Sequence, residues 1–224
     1  MDPDQAELKA TFLDPHAPVV ITQANLPHWH QADATYFLTF RLVDSLPKEK
    51  LEQLTQERDD WLATHPEPIS EVDWAEYHRR FSATIEHWLD QGSGSCVLDL
   101  PQCRQIVEDA LRYFDGQRYQ LGELVVAANH VHVIVRTRNG HDLSEILHSW
   151  KGFTSKEISK VEAASRRFYP FWTQLNARRQ TSVKSRPYQR PVWQKESYDH
   201  IVRSPEALCK IEEYIRDHDR SRWS

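Results

Sequence analysis

The amino-acid sequence predicts an α+β protein in which helices pack on an antiparallel sheet. Three observations carry that prediction. Strand-like runs rich in β-branched and aromatic residues, at 34–43, 118–127 and 130–135, alternate with segments of helical period. The second and third runs are separated only by Ala128-Asn129, so they form a hairpin. The order strand, helix, hairpin, helix, strand and terminal helix then gives a ferredoxin-like sheet, with a helical pair inserted after the first strand.

Residues 1–30, with Pro3, Pro15, Pro18 and Pro27 and little periodicity, read as an extended N-terminal arm. Ala34 to Val43 is the first strand. The inserted pair occupies 48–91: Leu51, Leu54, Trp61 and Leu62 mark the apolar stripe of one helix, and Trp74, Tyr77, Phe81, Ile85 and Trp88 that of the next. Gln91-Gly92-Ser93-Gly94-Ser95 is a linker into a core spanning 96–220. Pro101 to Phe114 is a helix with Asp99 as its expected N-cap, and Leu143 to Val161 another, capped by Asp142. The stretch 166–191 is basic and irregular, and Val192 to Arg203 has room for a short strand. Ser204-Pro205-Glu206 opens the last helix with a cap residue, a proline in the first turn and an acid at the positive end of the dipole. The whole is expected to be one domain of 224 residues.

No run approaches the roughly 20 apolar residues of a membrane span, and the acidic, polar start Met1-Asp2-Pro3-Asp4-Gln5 is not that of a secretory signal. Cys96, Cys103 and Cys209 show no C-x-x-C spacing, which argues against a disulfide framework or thiolate zinc site and fits a reducing cytoplasm. The net charge of −5 averages two unlike parts. Residues 1–100 carry 7 basic and 18 acidic side chains, and residues 101–224 carry 21 and 15. A basic working half with an acidic appendage suits a nucleic-acid partner.

The chemistry begins at His130-Val131-His132, inside an apolar run from Leu124 to Val135. On a strand, alternate residues share a face, so the two imidazoles stand side by side while Val131, Val133 and Val135 face a core. Alone, such a triplet is more often a polar outer face than a metal site. The last helix adds Tyr214 and His218, spaced i, i+4 on one face, with Ile211 and Ile215 on the face beside it. That face offers a hydroxyl nucleophile next to a third metal ligand, or a packing tyrosine and a histidine that complements the helix C-terminus.

Taken together, Asn129 to Val135, Trp150-Lys151-Gly152-Phe153-Thr154, Trp193, Tyr198 to Arg203 and Glu213-Tyr214-Ile215 resemble the motifs of REP-associated tyrosine transposases. These are single-tyrosine members of the HUH nucleases and relatives of the insertion-sequence transposases. The resemblance covers about residues 34–44 and 96–218, and the tyrosine follows the histidine strand, as in that group. The family helix continues from its Tyr-Ile into Asn-Pro-Val-Lys, whereas this chain reads Arg216-Asp217-His218-Asp219. His218 thus stands where an amide ligand is expected, which shifts metal preference from Mg²⁺ toward Mn²⁺ or softer ions. The acidic insertion at 48–91 is a second departure: it could gate DNA, mediate contacts or only cover a sheet face.

The resemblance implies nicking and strand transfer of single-stranded or hairpin DNA. A divalent ion, Mg²⁺ or Mn²⁺, on His130, His132 and His218 would polarise the scissile phosphate, and Tyr214 would form a 5′-phosphotyrosine. Each imidazole ligand then needs an acceptor for its other N–H, which the sequence does not name. Lys151, Lys156, Lys160, Arg178, Arg179, Arg186, Arg190 and Trp193 are the expected DNA contacts, with Phe168, Tyr169, Phe171, Trp172 and Tyr188 free to stack on bases or to anchor packing. A cytoplasmic, nucleoid-associated protein is expected, a monomer rather than a dimer. Two other readings stand beside this one. The first is a domesticated, non-catalytic protein that binds DNA hairpins, and the second another H-x-H metalloenzyme, although an iron oxygenase would need a carboxylate at the histidine pair.

Overall fold

A computed structural model of the chain describes residues 10–23, 27–65, 71–168 and 191–220. Two strands, β1 (Val20–Gln23) and β2 (Pro27–His30), pair antiparallel. The main sheet contains β3 (Thr35–Arg41), β4 (Tyr119–Val126), β5 (His130–Thr137) and β6 (Tyr198–Ile201). Its order is β4-β5-β3-β6, antiparallel throughout. Helices α1 (Lys48–Thr64), α2 (Glu71–Tyr77) and α3 (Ala83–Asp90) follow β3. α4 (Pro101–Arg112) precedes the β4–β5 hairpin, α5 (Leu143–Phe168) follows it, and α6 (Pro205–Arg220) comes last. This is the expected ferredoxin-like arrangement with a helical insertion after its first strand. No helix among the described residues is long and apolar enough to cross a membrane.

Strand alternation divides the core in two. Val131, Val133 and Val135, with Tyr36, Leu38 and Phe40 of β3, face α4 and α5 and pack with Cys103, Val107, Leu111, Ile146, Trp150 and Ile158. Tyr119 anchors this layer: its hydroxyl donates to the Leu111 carbonyl at 2.8 Å and accepts the Trp150 indole N–H at 2.9 Å. The opposite face presents Phe37, Val125 and Ile134 to α6, where Ile215 is buried and Ile211 and Tyr214 are partly so. Each fully buried side chain of this size contributes roughly 1.5–3 kcal/mol. The amphipathic face of α6 is therefore held firmly over the histidine side of the sheet.

Local chemistry sets the ends. Asp142 Oδ1 accepts the Ser144 amide at 2.6 Å, and Ser204 Oγ accepts that of Ala207 at 3.2 Å, so both expected caps form. Asp99 does not cap α4: Leu100 takes that position without a side-chain bond, and Asp99 instead contacts Arg104 at 3.5 Å. Pro101 at the first turn lacks an N–H and lowers the need for a cap. The pairing of β4 with β5 shifts register between Leu121 and Leu124, and at this irregularity Glu123 meets Arg216 of α6 at 3.0 Å.

The expected N-terminal arm is more structured than its prolines suggested. The Thr11 carbonyl accepts the Thr35 amide at 2.8 Å, the Leu13 amide donates to the Val202 carbonyl at 3.0 Å, and β1 pairs with β2. The second inserted helix also differs, since a π-helical turn at His78–Ser82 separates α2 from α3. Leu54, Trp61, Tyr77 and Phe81 give the insertion a small core of its own.

The insertion leaves and re-enters the main fold at one point. Asp44 accepts the Ser95 amide at 2.9 Å, and Gly94, at φ +92°, lies against the Asp44 carbonyl. A Cβ there would collide with that carbonyl as well as strain the backbone. Gly94→Ala should lower stability by about 1–3 kcal/mol in denaturant unfolding. Gly92→Ala should cost less, because a Cβ at Gly92 meets nothing despite its φ of +66°.

Candidate active site

The site lies on the α6 side of the sheet. His130 and His132 point the same way from β5, as their two-residue spacing requires, and are 1% and 0% exposed. Their Nε2 atoms are 3.0 Å apart. His218 closes the third side from α6, its ring centroid 5.2 Å from that of His130 and 5.4 Å from that of His132. One nitrogen from each of the three falls within 4.8 Å of the others, so the trio could hold a metal ion. Tyr214, one turn earlier on α6, places its hydroxyl 3.2 Å from His132 Nε2. The two histidines, His218 and Tyr214, separated by more than eighty residues in the chain, are thus brought together.

The acceptors for the far side of each imidazole are Asn129 and Thr39. Asn129 Nδ2 donates to the Ser93 carbonyl at 2.9 Å, which turns its Oδ1 toward His130 Nδ1 at 2.8 Å. That oxygen can only accept, so His130 carries its proton on Nδ1 and presents a lone pair at Nε2. Thr39 Oγ1 lies 2.8 Å from His132 Nδ1 and can accept from it in the same sense. Burial first, then the neighbouring His130 and His218, hold His132 well below the usual imidazole pKa and keep it neutral. Two neutral imidazoles with lone pairs converging about 3 Å apart fit adjacent positions around a divalent cation with ligand distances of about 2.1 Å. The donor set therefore suits the metal that the sequence pattern implied.

Two acids from the insertion complete the surroundings. His218 Nε2 donates to Asp90 Oδ1 at 2.8 Å, and the same oxygen is 3.9 Å from His130 Nε2. Burial favours the protonated form of Asp90, but the bond from His218 and the nearby His130 and His87 outweigh it and hold the carboxyl below its ordinary pKa. Glu86, one turn earlier on α3, is raised to about 7 by burial and by the Asp90 carboxylate, against the opposing effect of His218. Burial, then Glu86 and Asp90, push the Tyr214 phenol upward, so its ionisation needs compensating positive charge. Tyr198, the other tyrosine near the site, is also raised, chiefly by burial, and bonds to Ser82.

An open cleft of about 430 Å³ runs beside Tyr214, lined by Phe37, Arg79, Glu86, Tyr198, His200 and Lys210 among others. Among the expected DNA contacts, the four that are described do not line this cleft. Lys151 Nζ donates to the carbonyls of Gln194 and Lys195, each at 3.1 Å, and burial lowers its pKa to about 8. Lys156 is exposed, and Lys160 is exposed and paired with Glu157 at 2.7 Å. Trp193 is 4% exposed in the core against Phe40, its indole donating to Thr154 Oγ1 at 2.8 Å, so its faces are taken up by packing. Arg178, Arg179, Arg186 and Arg190, with the aromatics Tyr169, Phe171, Trp172 and Tyr188, fall outside the described residues. Sequence reasoning missed Asp90 and Glu86. Their i, i+4 spacing on a helix otherwise lined by Ile85, Trp88 and Leu89 was the available signal.

Glu86 makes stability depend on pH. Its folded-state pKa of about 7 exceeds the ordinary 4.5, so the folded state holds a proton that the unfolded chain releases earlier. Stability from this group is complete below about pH 4.5 and falls as pH rises toward 7. Glu86→Gln should therefore stabilise the metal-free protein at pH 8, on the order of 1 kcal/mol or about 2–4 °C. The gain should shrink at pH 5, as thermal melts at the two pH values will show.

The family described as "Transposase IS200 like" matches residues 100–175, a segment that runs from α4 through the histidine strand into α5. No curated protein matches the chain. Among solved structures, a REP-associated tyrosine transposase bound to a REP hairpin superposes with a TM-score of 0.43 at 12% identity, over 86% of this chain and 70% of that one. A protein of Deinococcus radiodurans R1 provisionally called a transposase gives 0.36 at 13%, over 84% and 93%. The segment 100–175, which carries His130 and His132, is thus similar to the IS200-like transposases.

Proposed function

We propose that this protein is a transposase that cuts and rejoins single-stranded DNA through a covalent bond to Tyr214, acting on hairpin-bearing substrates. The observation that carries the reading is the 3.2 Å approach of the Tyr214 hydroxyl to His132 Nε2, at the mouth of the three-histidine cluster and beside an open cleft. Hairpin specificity is the part drawn from the sequence resemblance.

In the forward step the Tyr214 oxygen forms a bond to phosphorus while the bond from phosphorus to the 3′ oxygen breaks. The phenolic proton leaves the tyrosine, and the departing 3′ oxygen takes up a proton to become a hydroxyl. The products are a 5′-phosphotyrosine and a free 3′ end. Because the phosphodiester is conserved, attack by a 3′-hydroxyl reverses the step and joins strands. His130, His132 and His218 would hold a divalent ion, Mg²⁺ or Mn²⁺, which when bound supplies Lewis-acid stabilisation of charge on the phosphate. Asn129 and Thr39 keep the imidazole lone pairs turned inward. Arg79 and Lys210 offer positive charge along the cleft, and Phe37 backs Tyr214 edge to face, with ring centroids 6.4 Å apart. The approach of Tyr214 to His132 within one chain supports a nucleophile that acts at its own subunit's histidines.

Labelled single-stranded DNA carrying a hairpin, incubated with the protein and Mn²⁺, should yield an adduct that survives denaturation. Tyr214→Phe should abolish it, and His130→Ala should reduce it by roughly 100-fold or more. Loss of the adduct in Tyr198→Phe with retention in Tyr214→Phe would transfer the nucleophile to Tyr198. Tight hairpin binding with no adduct, across a panel of palindromes, would leave a DNA-binding protein without this chemistry.

A further inference from the structure

We infer that Asp90, supplied by the helical insertion, is a fourth ligand of the metal site, and that α3 is therefore part of the metal centre. This rests on reading the histidine cluster as a cation site, but not on any DNA reaction.

Three geometric facts converge. Asp90 Oδ1 is 2.8 Å from His218 Nε2 and 3.9 Å from His130 Nε2, so it stands at the edge of the three-histidine cluster, against two of its members. His130 presents its unprotonated nitrogen toward this region, because Asn129 and the Ser93 carbonyl fix the proton on the other side of the ring. A lone pair facing a carboxylate oxygen on one side and a second imidazole nitrogen at 3.0 Å on the other is an arrangement that a cation stabilises. Placement is also deliberate: Asp90 is the last residue of α3, and Gly92 follows at φ +66°, turning the chain into the loop that reaches Asn129. The Asp90 side chain is 44% exposed.

The donor chemistry has a consequence for metal choice. Three neutral imidazoles favour Zn²⁺ and other borderline ions, whereas an added carboxylate brings a hard, charged oxygen suited to Mg²⁺ and Mn²⁺. The histidine at position 218, which replaces the expected amide, is offset by an acid from a different part of the chain. The ion would take the place of the hydrogen that His218 and Asp90 share, leaving the two atoms as neighbouring ligands.

The competing role is positional, with Asp90 acting only by orienting His218. A double-mutant cycle separates the two. Mn²⁺ binding in the absence of DNA is measured by the electron paramagnetic resonance of free Mn²⁺, for the wild type, Asp90→Asn, His218→Ala and the double variant. Thermal melts confirm that each is folded. A ligand predicts that Asp90→Asn weakens binding about tenfold or more in both backgrounds and raises the ratio of Zn²⁺ to Mn²⁺ affinity. An effect present in the wild type and absent in the His218→Ala background would overturn the inference in favour of orientation. Unchanged Mn²⁺ affinity in Asp90→Asn, or no Mn²⁺ binding by the wild type, would overturn it outright. Wild-type Mn²⁺ binding that depends on Asp90, with no covalent adduct on DNA, would uphold the ligand and reject the proposed reaction.

Discussion

Seven residue pairs hold β3 against β5, and through that ladder Thr39 stands opposite His132. Side chains alternate along a strand, so this register decides which groups meet. It sends Val131, Val133 and Val135 into the layer under α4 and α5 and leaves His130, His132 and Ile134 for α6. A slip by one residue would exchange the two sets and bury the imidazoles among aliphatic side chains. It would also remove the Thr39 hydroxyl from His132 Nδ1. The tightly packed valine face thus pins the orientation of the polar one, and the apolar contacts of α6 on Phe37, Val125 and Ile134 bring Tyr214 and His218 to the same place.

The electrostatics of the site form a balance that only added positive charge completes. His132 is neutral because burial penalises its cation, and Tyr214 is neutral because burial and two nearby acids penalise its anion. Asp90 is ionised through its bond with His218, while Glu86 sits near neutrality. Removing water makes each of these preferences stronger. A divalent ion and a phosphate entering together would change several of them at once, whereas a phosphate alone would meet the acids and gain no charge from His132.

Much of the architecture could be read from residues near one another in the chain. The hairpin around Ala128-Asn129, the caps at Asp142 and Ser204 and the pairing of Tyr214 with His218 on a helix face all follow from local spacing. What escaped the reading depends on contacts between distant segments. Asp90 and His218 lie 128 positions apart, and no periodicity links them. Asn129 was visible as a turn residue and as the start of the histidine motif, but not as the acceptor for His130, because that role needs Ser93 from the far end of the insertion loop. Trp193 sat in a basic, aromatic neighbourhood that suggested DNA contact, yet Phe40 and Thr154 claim it for the core. Local pattern cannot tell an aromatic ring that stacks on a base from one that fills a core.

Glu71 to Asp90 is a single rod broken by the π-helical turn at His78–Ser82. Such a turn holds one residue more than the α-helix it interrupts. Each residue advances the angular phase of a helix by about 100°. Remove one residue from that turn and the rod could become a continuous α-helix, better bonded internally but with its far end rotated. Glu86 and Asp90 would then swing around the axis away from α6, while Tyr77 kept its seat beside Trp61. The surplus residue acts as a setting on a dial, fixing by length alone which side of the rod looks at the histidines.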